Sequence, residues 1–239
     1  TNLTMDKFID IFLEQRMDSA DGDELRCALE AIVKEEKVNL ELFRIQINYC
    51  RNQISIINSK IDSGNPTHYL MTNRRAFEEQ EFILNIAAQA QQCSYETKGL
   101  QKALYFEKNE SSKERLVVEA SVMMYEWCND LQEMTGKKFQ DIASKLLSAA
   151  DLAKTRIARK RLQNFFKREK MVLSSVRHNT GAHRDHDYMK QREVLDGIGW
   201  SETIKRLHDF EEVTLELGKS ISPLIKAGLK RIDKAFNGK

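Results

Sequence analysis

Three of the five histidines fall inside one eleven-residue stretch, Arg177-His178-Asn179-Thr180-Gly181-Ala182-His183-Arg184-Asp185-His186-Asp187. Imidazoles move protons near neutral pH, and a guanidinium binds two oxygens of a phosphate at once. Arg177 and His183 therefore suit chemistry on a phosphodiester: the arginine holds the phosphate oxygens and the histidine takes a proton. RNA brings its own nucleophile, the ribose 2′-hydroxyl, so such a pair needs no metal and no cofactor. A metal site is the other chemistry the stretch offers. His183 and His186, three residues apart, could share a helical face beside Asp185 and Asp187, but only His68 and His208 remain elsewhere as histidines. His183-Arg184-Asp185 also spells the catalytic-loop tripeptide of protein kinases. No glycine-rich phosphate loop and no DFG accompany it, and that reading is discarded.

Directly upstream the chain is strongly basic. Lys154, Arg156, Arg159, Lys160, Arg161, Lys167, Arg168 and Lys170 stand against the single acid Glu169, a local charge of +7 within a chain of net charge +2. Charge this concentrated, interleaved with Phe165 and Phe166, suits a nucleic-acid backbone. It reads equally as a solvated helix face whose phenylalanines point into a core.

Arg177, the polar His178 and His183 after five intervening positions, within the wording RHNTGAHRD, resemble the motif of the HEPN superfamily of helical domains. The resemblance covers about residues 112–239. It implies that Arg177 and His183 are the catalytic pair of a ribonuclease, with His178 and Asn179 as polar assistants. It also implies RNA as substrate and a homodimer that brings two motifs into one composite site. A toxin or defence role, with an antitoxin or regulatory protein as partner, is a further implication. Helical domains bearing such a motif without nuclease activity exist, so a noncatalytic scaffold or dimerisation protein is the alternative.

The elements that must position these residues are helical. Two prolines and ten glycines in 239 residues, with 41% hydrophobic and 31% charged residues, describe an ordinary globular composition with few turns, and an all-α fold follows. Met5 to Met17 forms a short amphipathic pattern. Val33, Leu40, Ile47, Ile54 and Ile61 then recur every seventh residue, with Leu29, Phe43, Cys50 and Ile57 interleaved and only Glu36 breaking the seam. That repeat predicts one helix of about 40 residues. Ser63-Gly64-Asn65-Pro66 turns the chain, and Leu70, Phe77, Leu84 and Ala88 mark a second helix returning antiparallel.

The polar run Lys108 to Lys113 divides a helical region with a long hairpin, residues 1–108, from a HEPN-like bundle, residues 109–239. Ser111 or Ser112 is placed to cap the helix through Trp127 to Met134. From Phe139 the helical pattern continues through Ala153 into the basic segment. A helix through Tyr188 to Leu195 follows the motif, another starts at Ser201, and Ser222-Pro223 reads as the N-cap and first turn of a last helix. Cys27, Cys50, Cys93 and Cys128 contain no CxxC pair and read as free thiols. With no apolar run of 18 residues and no signal-peptide pattern, the expectation is a cytoplasmic protein with no membrane partner.

Overall fold

The computed structural model describes residues 17, 19–64, 67–179 and 188–236. The fold is all-α: among the described residues there are seven helices and no strand. These are α1 (Ala20–Asp62), α2 (His68–Phe106), α3 (Glu110–Met134), α4 (Lys137–Leu146), α5 (Ala149–Asn179), α6 (Tyr188–Asp196) and α7 (Trp200–Phe236). The expected helix over Met5 to Met17 falls almost wholly outside the described residues.

The heptad seam forms one helix of 43 residues, α1, about 65 Å long at 1.5 Å per residue. Gly64, at φ +97°, takes the left-handed turn after it, a conformation that costs glycine nothing. α2 returns antiparallel along α1, and the cross-pairs fix the direction. Lys102 reaches Glu30 at 2.7 Å, Ser94 donates to Glu36 at 2.9 Å, and Arg51 reaches Glu81 at 2.7 Å, so one number rises as the other falls. Between the two helices Ile47, Cys50 and Ile57 pack with Ala76, Phe77 and Leu84. Glu36, which breaks the seam, is tolerated because Ser94 supplies a donor; burial still pushes its carboxyl above the ordinary carboxylate range.

The main core lies where α2, α3, α4, α5 and α7 converge, on side chains such as Leu104, Met124, Leu131, Phe139, Leu162, Leu173, Leu207 and Phe210. α7 also runs beyond it: Ile232 joins the hairpin's cluster, and Arg231 pairs with Glu79. α2 contributes to both clusters in the same way, through Phe77 and Leu84 to one and Ile83 and Leu104 to the other.

Three local expectations are corrected. The chain from Trp200 to Phe236 is one helix with Pro223 inside it, not two helices meeting at Ser222. An interior proline costs roughly 3 kcal/mol. Leu217, Ile221 and Leu224 on either side are fully buried, and ending the helix there would expose them. The pattern from Phe139 breaks at Leu147, whose backbone is extended at ψ 152°. Ser148 then opens α5: its Oγ accepts from the Asp151 N–H at 3.2 Å and donates to the Asp151 carboxylate at 2.8 Å. α3 is capped by Asn109 rather than by Ser111 or Ser112; its side chain accepts from the Ser112 N–H at 3.0 Å.

Candidate nucleic-acid interface

α5 carries the whole basic segment and delivers Arg177, His178 and Asn179 in its last turn. Thr155, Ala158, Leu162, Phe165, Phe166, Leu173 and Val176 form its buried side. That side is a stripe at helical spacing, which leaves the cations nowhere to go but outward. Phe165 and Phe166 are only 2% and 7% exposed, so they serve the core and offer no platform for stacking bases.

The eight cations divide into rows. Lys154, Arg161 and Arg168, seven residues apart, meet carboxylates: Lys154 with Asp151 at 3.4 Å, Arg161 with Glu216 at 2.8 Å, and Arg168 with Asp209 at 2.8 Å and Glu169 at 2.6 Å. The hydrogen bond that Arg168 donates to Glu169 leads the effects that hold its guanidinium above the usual pKa. Ser148 and then Lys154 keep Asp151 below the usual carboxylate range. These charges are spent inside the molecule.

Arg156, Lys160, Lys167 and Lys170 form the second row. All four are exposed, and among the described residues none pairs with a carboxylate. Lys170 instead lies over the Phe166 ring at 5.5 Å. Arg159 sits beside this row, half-buried, and its Nε has no hydrogen-bond partner among the described residues. At 3.6 residues per turn, Arg156, Lys160, Lys167 and Lys170 share one face with His178, and the face runs about 33 Å from Arg156 to His178. Met171, 81% exposed, is the apolar residue on that face.

At the end of the face Arg177 is engaged. Its Nε binds the Glu126 carboxylate of α3, and its guanidinium lies 5.3 Å from the centre of the Tyr125 ring. The side chains of Arg177 and Glu126 keep 23% and 44% exposure, so the pair stands at the surface and not in the core. His178 is exposed. Asn179 turns back on its own helix, donating from Nδ2 to the Ser175 carbonyl at 2.7 Å and to the Ser175 hydroxyl at 3.3 Å. The last turn of a helix ends in unsatisfied carbonyls and a partial negative charge. Arg177 offsets that field, which otherwise opposes an anion. His183, and with it Asp185, His186 and Asp187, lies outside the described residues.

The other described histidine on the bundle, His208, is tied to Tyr105 Oη at 2.6 Å and faces Gln101 Nε2 at 3.5 Å. No group of three or more metal-ligating side chains occurs among the described residues.

Sequence reasoning placed the basic residues on one helix but missed the acids that divide them. Asp209 and Glu216 are seven residues apart, as Arg161 and Arg168 are, which lets two facing helices zip those pairs, but nothing in that spacing says that these two helices face each other. Glu126 had no such marker, because nothing in its local sequence links it to Arg177.

Compared with protein-family models, with characterised proteins and with solved structures, the chain matches none of them. The site is therefore interpreted from its own geometry.

Proposed function

We propose that this protein binds single-stranded RNA along α5 and cleaves it without a metal, Arg177 and His183 acting on the phosphodiester. The observation that carries the reading is the row of unpaired cations, Arg156, Lys160, Lys167 and Lys170, sharing one helix face with His178 and leading to Arg177. A phosphate backbone laid along that row reaches Arg177 from a side of α5 whose cations meet no carboxylate among the described residues.

His183 takes the 2′-hydroxyl proton, the 2′-oxygen attacks the adjacent phosphorus, and Arg177 stabilises the charge on the phosphorane oxygens. The bond to the 5′-oxygen breaks, that oxygen takes up a proton, and a 2′,3′-cyclic phosphate remains. Arg177 must first exchange Glu126 for the phosphate. A partly exposed ion pair contributes only about 0–1 kcal/mol, and a bidentate guanidinium–phosphate contact exceeds it.

Incubation of the full chain with mixed structured and single-stranded RNA in EDTA tests this. Cleavage lost in both Arg177→Ala and His183→Ala, with a cyclic phosphate on the product, is expected. RNA bound but left intact by the wild type would reduce the reading to binding alone, and neither binding nor cleavage would refute it. The second reading, a helical scaffold, draws on the apolar outer face of α1.

A further inference from the structure

α1 has two apolar stripes. One is buried against α2; the other lies on the opposite side of the helix, with Tyr49 turning its ring edge-on to Phe77 of α2 at 6.2 Å. Val38, Leu42, Ile45, Tyr49 and Ile56 are 56, 51, 56, 56 and 48% exposed. Their spacings alternate by four and three residues and then step by seven, so at 3.6 residues per turn they fall within an arc of about 60° and form a second coiled-coil seam about 27 Å long. Scattered surface leucines need no explanation, but a continuous apolar stripe at heptad spacing does.

The charges of α1 indicate what covers it. Between Val38 and Ile56 the ionisable acids and bases are Glu41, Arg44 and Arg51. Glu41 pairs with Arg44, and Arg51 pairs with Glu81 of α2 at 2.7 Å, so each is neutralised within the protomer. The stripe is otherwise edged by exposed Gln46, Asn48, Asn52 and Ser55, which both donate and accept. Between Val38 and Ile56 the charges are already paired within the protomer, which leaves little for a charged partner to gain. A second copy finds an uncharged surface that matches its own.

We propose that α1 pairs with α1 of a second copy, antiparallel, about a two-fold axis near Ile47. This register sets Val38 against Ile56, Ile45 against Tyr49 and Leu42 against Asn52 of the partner helix. Parallel pairing would instead bring Glu35, next on the same seam, against its own copy, where like charges oppose each other. In the antiparallel register Glu35 faces Ser59. The inference rests on α1 alone and stands or falls separately from the RNA reading. Its consequence for that reading is spatial: the two α5 C-terminal ends are held at opposite ends of the paired helices. Each dimer then carries two separate Arg177 sites, and a composite site requires a further contact between bundles.

The test is sedimentation of the full chain across a dilution series, with Ile45→Glu as the variant and circular dichroism confirming that its helices persist. A dimer that becomes monomeric in Ile45→Glu is expected. Cys27 provides the second readout, because it is exposed while Cys50, Cys93 and Cys128 are buried. Spin labels on the two Cys27 thiols of a dimer should lie about 60 Å apart in the antiparallel register. A chain that stays monomeric at all concentrations, a dimer indifferent to Ile45→Glu, or labels closer than about 25 Å, the parallel outcome, would each overturn the proposal.

Discussion

Replacing Lys160 and Lys167 together by alanine should halve the salt dependence of RNA binding. The structure supplies four cations on the α5 face with no carboxylate partner among the described residues, Arg156, Lys160, Lys167 and Lys170. If each neutralises one phosphate, and Arg177 adds no net charge because it gives up Glu126 to take its own, log K for single-stranded RNA falls against log salt with a slope of about −2.8, and raising salt from about 50 to 200 mM weakens binding about 50-fold. With two lysines gone the slope becomes about −1.4 and the same change about 7-fold. Arg161→Ala is the control. Arg161 already holds Glu216, so its loss leaves the slope near the wild-type value although it removes as much formal charge as either lysine substitution alone. Fluorescence anisotropy with a 2′-O-methyl oligoribonucleotide, which lacks the nucleophile, measures binding free of cleavage. A slope unchanged in the double variant, or reduced equally by Arg161→Ala, would refute the division of α5 into spent and free charge.

Further expectations concern the scaffold. Phe210→Ala, at a fully buried position stacked against Phe165 with ring centres 5.5 Å apart, should cost about 3–5 kcal/mol in urea unfolding, whereas Leu229→Ala, at 47% exposure, should cost far less. Pro223→Ala should stabilise the chain by about 2 kcal/mol, because it restores a helix donor and removes a ring clash at the expense of some unfolded-state entropy; a helix that truly began at Ser222 would gain nothing. Glu36→Gln should raise the melting temperature at pH 7 and lose that advantage in acid. The folded state holds the Glu36 proton more tightly than the unfolded one, so its stabilising effect is complete below the ordinary carboxylate pKa of 4.5 and is lost as pH rises through the raised value. Thermal unfolding from pH 4 to 8 reads the difference, and a constant gap between wild type and variant would contradict it.

Composition, with two prolines and ten glycines, determined the all-α class, and periodicity determined the length of α1. The seam from Leu29 to Ile61 repeats often enough that only a long helix keeps it on one side. The same local logic found the turn at Gly64 and the end of α6 before Gly197. It also ordered Arg177, His178 and Asn179 at the end of a basic helix, since that order is a property of the chain. Local rules failed where packing opposed them. Ser222-Pro223 has the chemistry of a helix start, yet Ile221 and Leu224 are buried side by side in α7, and their burial outweighs the proline's cost. Ser148 opens α5 through an Ser-x-x-Asp cap that the apolar pattern through Leu147 concealed.

The tertiary structure alone decided which charges are available. Eight cations look alike along the sequence, but Asp209 and Glu216, more than 40 residues away, neutralise two of them and leave Lys160 and Lys167 free. Arg177 likewise meets Glu126 from 51 positions earlier in the chain. An ion pair depends on distance through space, and sequence spacing reveals it only within one helix, where neighbours three and four residues apart must meet. Between helices the partner is chosen by how the cores dock. The identity of the cations is thus written in the sequence, and their availability to a phosphate is set by the packing of α3 and α7 against α5.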